Sequence, residues 1–215
     1  MKKLLLILIA FFSISNLYAQ DIFIGTAKNF TSYDFTVNNI IETASPDYRS
    51  GSGSFYEIGY SPNDPDKNLS YLVSLTYNEF NAAASKDLSS YSWNTCYIGL
   101  QNAIEYSFFE SKSGIKLSIN AGLNTAHIIK GEQFINTAFY DITDNKEFTG
   151  LLLQGIVGLS TKYDISNDAN ITLGCNLSKA KPSGSTQLTM NTLQFKLGLH
   201  YHLKQKKSKS GFTFK

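Results

Sequence analysis

Long hydrophobic runs are scarce in this 215-residue chain. Its mean hydropathy of −0.15 and its 17% of charged residues exclude a bundle of membrane-spanning helices. They do not exclude a membrane β-barrel, because barrel strands alternate apolar with polar residues and their hydropathy averages out. The one long apolar segment, residues 4–14, is shorter than the roughly 20 residues that a spanning helix needs.

The N-terminus has the pattern of a cleaved signal peptide, residues 1–19. Lys2 and Lys3 form a basic start, the apolar segment follows, and Ala19 precedes the expected cleavage before Gln20. No cysteine directly follows the apolar segment, so lipoprotein processing is not expected. We therefore expect the mature chain to be exported.

An excess of positive charge is also missing from the body of the chain. Without residues 1–19 the chain has 17 basic and 17 acidic residues, and five of the basic ones lie in the last twelve positions. The body before this tail then has 12 basic against 17 acidic residues. A nucleic-acid-binding face requires the opposite balance, so we expect no nucleic-acid partner.

Strict alternation of apolar and polar residues is the main positive signal, and it is longest in residues 192–203. One face holds Leu193, Phe195, Leu197, Leu199, Tyr201 and Leu203, and the other holds Thr192, Gln194, Lys196, Gly198, His200 and His202. This period of two predicts a β-strand that is longer than a typical soluble strand of about 5–6 residues. A barrel in lipid turns such an apolar face outward and the polar face into the lumen.

Seven further segments complete the pattern. They are residues 21–28, 53–61, 69–78, 93–108, 115–125, 149–163 and 170–178. Short turns follow the second, fourth and sixth segments, whereas long polar stretches at 29–52, 79–92 and 126–148 follow the first, third and fifth. The sequence therefore predicts an all-β fold, an eight-stranded antiparallel up-and-down transmembrane β-barrel over residues 20–203, in the bacterial outer membrane with both ends in the periplasm. Residues 204–215 would form a basic periplasmic tail beside anionic headgroups.

Five tyrosines support this orientation. Tyr60, Tyr71, Tyr106, Tyr163 and Tyr201 all have the outward phase at the short-turn end of their segments. Tyrosine prefers the membrane interface because its ring is apolar and its hydroxyl is hydrated. We interpret them as a periplasmic aromatic girdle, with Tyr77 and Phe148 as candidates for the opposite girdle. The two cysteines, Cys96 and Cys175, would face lipid on non-neighbouring strands and stay free thiols.

A central hairpin provides a resemblance to a known family. Residues 97–108 read Tyr-Ile-Gly-Leu-Gln-Asn-Ala-Ile-Glu-Tyr-Ser-Phe, and a short turn and residues 115–122 follow. This resembles the Bacteroidetes outer-membrane β-barrel domain family (PorT-like), whose usual form is closer to Tyr-Leu-Glu-Ile-Pro-Leu-Leu-Leu-Lys-Tyr-x-Phe. Gln101 stands where that family has proline, and Glu105 where it has lysine. The resemblance implies the fold, the location and no common active site.

Inward-phase charges predict a filled lumen. The predicted polar plug consists of Glu57, Glu105, Lys116, Lys162, Lys196, His200 and His202. An eight-stranded barrel is just wide enough for side chains to fill it, and buried charges are tolerated when they are paired. We expect Glu105 to pair diagonally with Lys116. The alternative to a filled lumen is a narrow pathway through it. His200 and His202 lack an evident third ligand, so no metal is expected.

Candidate catalytic groups are few. His127 is the only histidine near the loop end, with Ser85, Ser89 or Ser90 as conceivable nucleophiles, but no spacing signature supports an acyl-transfer triad. Asp141, Asp144 and Glu147 could meet a divalent cation or a lipopolysaccharide surface, although a solvated acidic loop is the default. We expect neither an enzyme nor a cofactor.

The predicted function is therefore non-enzymatic. The barrel would have a structural or surface-interaction role through its extracellular loops, as a monomer among outer-membrane lipid, lipopolysaccharide and other envelope proteins. One alternative is lateral passage of small apolar molecules at Gly150, Gly155 and Gly158, which could mark a weak wall. Another is an accessory role in an outer-membrane secretion machine, which the family resemblance alone implies.

Overall fold

The structure consists almost entirely of β-strands. The computed structural model describes residues 20–35, 47–62, 68–86, 89–166, 168–185 and 187–203. Nine strands are present in these ranges: β1 (Gln20–Phe35), β2 (Asp47–Pro62), β3 (Leu69–Lys86), β4 (Ser89–Glu110), β5 (Ile115–Ile135), β6 (Ala138–Asp141), β7 (Leu151–Ser166), β8 (Ala169–Pro182) and β9 (Leu188–Leu203). The expected signal peptide and basic tail lie outside the described residues. No helix in the described ranges is long and apolar enough to cross a membrane.

Eight of these strands close into one antiparallel barrel, so the predicted fold is confirmed. The order is β1-β2-β3-β4-β5-β7-β8-β9, and β9 pairs with β1. The short β6 pairs with the end of β5 as a hairpin. The directly opposed residues can be followed from strand to strand around the whole barrel. Such a row starts on β1 at Ser32 and returns to β1 at Ile22, ten residues earlier. On eight strands this stagger corresponds to a strand tilt of about 40°.

Three segments predicted as loops are largely strand. Segment 79–92 is a hairpin, because β3 and β4 stay paired up to Lys86 and Ser89. β1 continues to Phe35 and β5 to Ile135, so the predicted loops 29–52 and 126–148 are also partly wrong. The strands leave the membrane before they end. Their outward positions there are polar, and the sequence composition then looks like that of a loop.

The apolar face of the strands changes side along the barrel. On β3, Leu75 and Tyr77 face outward, whereas Phe80, Ala82 and Ala84 face inward and are buried. β9 shows the same change, because Leu188 and Met190 are buried inside and the apolar residues from Leu193 onward are outside. We call the part with an apolar exterior the membrane section and the part with an apolar interior the extracellular section.

A bulge interrupts the β2–β3 ladder between Ser50 and Phe55. Glycine is required here, because a Cβ on Gly53 would lie 2.3 Å from the backbone oxygen of Glu79. Side chains replace the lost ladder bonds. The backbone N–H of Ser54 donates to Glu79 Oε2 at 2.9 Å, and Asn81 Nδ2 donates to the Ser52 carbonyl at 2.9 Å. The wall therefore stays hydrogen-bonded where lipid could not satisfy it.

Candidate functional site: the lumen and the outer wall

A buried ion pair crosses the lumen between β4 and β7. Lys162 Nζ pairs with Glu105, which is only 5% exposed. Ser160 Oγ donates a further hydrogen bond to Glu105 Oε2 at 3.1 Å. A buried carboxylate is tolerated when a cation and a hydroxyl satisfy its oxygens. Lys162 and Ser160 therefore compensate for the burial of Glu105.

A second buried pair links β2 to β9. Lys196 Nζ pairs with Glu57, and the ammonium group lies 5.8 Å from the centre of the Phe23 ring. Gly25 makes room for this pair, because a Cβ there would lie 2.6 Å from Glu57 Oε1. Ser74 Oγ donates to the other carboxylate oxygen at 3.4 Å. The two pairs fill the periplasmic half of the lumen.

Both predicted lumen histidines have protein partners. The His200 ring stacks on Phe23 with centroids 5.0 Å apart. His202 Nδ1 lies 2.5 Å from Asp21 Oδ1, and its Nε2 lies 3.2 Å from Asn170 Nδ2. Within the described ranges, no group of three or more His, Cys, Asp and Glu side chains could hold a metal ion.

The expected pair between Glu105 and Lys116 does not form. Lys116 Nζ instead lies 3.2 Å from Glu110 Oε1, its own ladder neighbour at the end of the hairpin. The ladder places Glu105 opposite Asn120, so Lys116 is four residues too far toward the periplasm. Of the seven proposed plug residues, Lys116 is at the rim and the other six face the lumen. The partner of Glu105 comes from β7, the strand beyond β5, which the geometry of the β4–β5 hairpin did not indicate.

A belt of neutral amides lies above the ion pairs. Asn176 Nδ2 donates to Gln194 Oε1, and Gln194 Nε2 donates to Asn29 Oδ1, both at 2.9 Å. Asn124 Nδ2 donates to Gln154 Oε1 at 3.0 Å. The whole belt comprises Asn29, Asn78, Asn120, Asn124, Gln154, Asn176 and Gln194. Several of these residues, including Gln154, already have the inward phase in the sequence, but the predicted plug comprised only acidic, lysine and histidine side chains.

An apolar plug closes the extracellular end of the lumen. It contains Tyr33, Phe80, Trp93, Tyr97, Ile128, Ile142, Phe148, Leu152, Leu188 and Met190, all buried. The buried hydroxyls are hydrogen-bonded: Tyr33 Oη donates to the Phe80 carbonyl at 2.8 Å and Tyr97 Oη to the Phe148 carbonyl at 3.1 Å. The sequence signal for this plug is that the apolar residues change face toward the extracellular ends of the strands. The predicted strand segments end before that change.

The segment between β6 and β7 folds into the barrel mouth. Ile142 and Phe148 are both part of the plug, so the expectation that Phe148 belongs to an outer girdle is wrong. Asp141 accepts a hydrogen bond from the backbone N–H of Thr143 at 2.9 Å, and bonds to Thr143 lower the pKa of this carboxyl. Glu147 accepts a hydrogen bond from Ser185 Oγ. These acidic side chains are used in local contacts and do not converge on a shared cation.

The five proposed girdle tyrosines all lie on the outer wall. Tyr60 and Tyr201 are both ladder partners of Ile22, near the periplasmic end. Tyr71 Oη donates to Asn102 Oδ1 at 2.6 Å, which satisfies the one amide that interrupts the apolar face of β4. The free thiols of Cys96 and Cys175 lie on β4 and β8, which are not adjacent.

The structure separates the candidate catalytic groups. His127 faces outward from β5 opposite Ile98 of β4. Ser90 lies eight residues further along β4, about 26 Å at roughly 3.3 Å per residue. Ser85 and Ser89 are at the same hairpin end. A base and a nucleophile must be within hydrogen-bond reach, so these residues cannot act together.

The closed barrel with an aliphatic exterior belt, outward tyrosines and a filled polar lumen defines the class of this protein. It is an outer-membrane β-barrel, located in the outer membrane. No protein-family model and no curated protein sequence matches the chain.

The chain is similar to three solved barrels. Neisserial surface protein A (NspA) has 11% identity and a TM-score of 0.46, over 84% of this chain and 96% of that one. Outer membrane protein OprG from Pseudomonas aeruginosa has 12% identity and a TM-score of 0.48, over 87% of this chain and 97% of that one. The outer membrane enzyme PagL has 13% identity and a TM-score of 0.43, over 82% of this chain and 97% of that one. These identities transfer no function, and the fold assignment rests on the closed ladder itself.

Proposed function

We propose that this protein is a non-conducting, non-enzymatic outer-membrane barrel that acts structurally or through its extracellular section. The observation that supports this proposal is the closure of the lumen at three levels. Ion pairs fill the periplasmic half, the amide belt crosses the middle, and the apolar plug closes the mouth. With the interior occupied, contacts with other molecules fall to the outside of the barrel.

The extracellular section offers a surface for such contacts. A shallow hollow of about 280 Å³ lies on the outer face of the β2–β5 hairpins. Small residues, Ala83, Ser90 and Ser92, form its floor between Arg49 and Phe134. Phe134 packs edge-on against the exposed Phe139 of β6 with centroids 5.6 Å apart. A cation and an aromatic ring beside small polar groups suit a contact surface.

Conductance in planar bilayers tests the closed lumen. We expect no stable channels from the folded full-length protein, whereas a porin in the same bilayers conducts. As a positive variant, Tyr97→Ala combined with Phe148→Ala removes two plug side chains and should produce flickering openings. Stable, large channels from the unmodified protein would refute the closed-lumen proposal.

Site-specific photo-crosslinking tests the surface role. A photoreactive residue at Ser92 should form adducts with an envelope or extracellular component in intact cells. The matched control is Ser113, an exposed serine in the periplasmic turn. Adducts at both sites, or at Ser113 alone, would contradict a role of the extracellular section.

The remaining alternatives stay predictions. The ladders on both sides of β7 continue without interruption through Gly155 and Gly158, an observation that does not favour lateral passage there. Membership of the PorT-like family and an accessory role in secretion rest on the hairpin resemblance, and co-purification in mild detergent tests the latter. The monomeric state is tested by the mass of the purified complex.

A further inference from the structure

The outer wall has a groove of about 560 Å³ where β1, β9, β8 and β7 leave the apolar belt. Two neighbouring ladder rows form it. The lower row is apolar and comprises Phe30, Leu193, Leu177 and Val157. The upper row comprises Ser32, Asn191, Lys179 and Gly155. The groove is thus apolar toward the membrane centre and polar toward the extracellular side.

Short side chains create this concavity. Gly155 faces outward, and a Cβ placed on it would meet nothing within 4 Å. Ser32 and Asn191 are also shorter than the apolar residues below them. The space is therefore a gap in the outer layer of side chains and not a break in the wall, because the ladder beneath it is continuous.

Positive charge exceeds negative charge around the groove, with three outward lysines and one outward carboxylate nearby. Lys179 lines it, Lys181 follows on the same outward face, and Lys28 lies two residues before Phe30 on β1. Among the described residues none of these three lysines has an ion pair, whereas Lys130 on the opposite wall lies 2.8 Å from Glu132. Asp34, near the end of β1, is the nearest outward carboxylate on these strands.

We propose that this groove binds an acylated, phosphorylated lipid of the outer leaflet. An acyl chain would lie along the row from Phe30 to Val157, where it gains apolar contact. The phosphate would lie at Lys179, with Lys181 extending toward it from the extracellular side, because lysine stems bury their methylenes and keep the ammonium group at the interface. This binding goes beyond the proposed function and does not depend on it.

Native mass spectrometry of the folded, full-length protein tests the proposal. The probes are a phosphorylated, acylated disaccharide lipid, the same lipid after phosphatase treatment, and inorganic phosphate. We expect one bound copy of the phosphorylated lipid, about tenfold weaker binding of the dephosphorylated form, the loss expected for one charge-assisted contact, and no retention of inorganic phosphate.

Two variants locate the site. Gly155→Phe places a ring in the groove at a position where the Cβ meets no atom, and it should abolish the bound lipid. Lys179→Ala should weaken lipid binding about tenfold. Lys112→Ala removes the same charge at the exposed periplasmic turn and should leave binding unchanged. Heat-modified migration in gels verifies that each variant is folded. Equal binding of both lipids, retention of lipid by Gly155→Phe, or a protein dimer in place of the lipid would each overturn the proposal.

Discussion

Glu57 and Glu105 are buried glutamates, and their burial requires a cation and hydrogen-bond donors close by. Each carboxylate lies inside the barrel and pairs with a lysine from the next strand but one. The hydroxyl that bonds Glu105 comes from the same strand as its lysine, whereas the hydroxyl that bonds Glu57 comes from β3. Such a pair contributes little net stability compared with apolar residues of the same volume, but removal of one partner leaves a buried charge. The charge of Lys162 or Lys196 therefore matters because the carboxylate that it neutralises is buried.

Lys162→Met should lower the free energy of unfolding by about 3–5 kcal/mol, because Glu105 is left without its cation. Lys116→Met should cost at most about 1 kcal/mol, because the side chain of Lys116 is 33% exposed and that of its partner Glu110 is 61% exposed, so water screens the pair. Urea unfolding, followed by the fluorescence of the single tryptophan, Trp93 in the plug, measures both changes. A double variant, Glu105→Leu with Lys162→Met, should recover most of the loss. Equal effects of the two single variants would contradict the buried-pair interpretation.

The outer surface of the strands is apolar in the membrane section and polar in the extracellular section. In the membrane section each strand turns aliphatic residues to lipid, whereas in the extracellular section it turns them inward as a soluble barrel does. β2 has a bulge opposite the part of β3 where this change occurs, and side chains of β3 replace the lost ladder bonds there. A local irregularity thus preserves a hydrogen-bonded wall.

Gly53→Ala should destabilise the β2–β3 ladder by about 1–3 kcal/mol, because the new Cβ overlaps the backbone of Glu79. Gly155→Ala is the matched control and should change stability by less than about 1 kcal/mol, because its Cβ meets no atom. Hydrogen exchange should accelerate at residues 50–55 in the first variant only. Unchanged exchange there would show that the bulge tolerates a side chain.

The whole molecule is one barrel whose exterior changes from lipid-facing to water-facing along its axis. Leu197 is half exposed on the outer wall of the membrane section, whereas Ser92 lies on the outer face of the extracellular section. The same strands therefore provide both the membrane anchor and the exposed hairpins.

Thiol labelling in lipid vesicles tests this division. With Cys96 and Cys175 replaced by alanine, Leu197→Cys should resist a charged maleimide, because acyl chains cover it, and Ser92→Cys should react rapidly. In the urea-unfolded state both thiols should react at similar rates, which controls for intrinsic reactivity. Rapid labelling of both in folded vesicles would mean that the apolar belt does not face lipid.

Most of the barrel wall could be predicted from local pattern. Alternation in residues 192–203 or 115–125 assigns each side chain to a face without any knowledge of neighbouring strands, because side chains alternate along every strand. The upper ends of β3 and β4 could not be recognised in this way, since their outward residues are polar and small and their inward residues reverse the expected phase.

The chain's own alternation determined the outward belt, the inward charges and the order of hairpins, because these properties depend only on neighbours along the strand. Which lysine meets Glu105, which amides of the belt bond to one another, and how Phe148 enters the mouth depend on a stagger of ten residues around the closed ladder. Closure places residues side by side that are far apart in the chain. Only the tertiary structure decides those pairs.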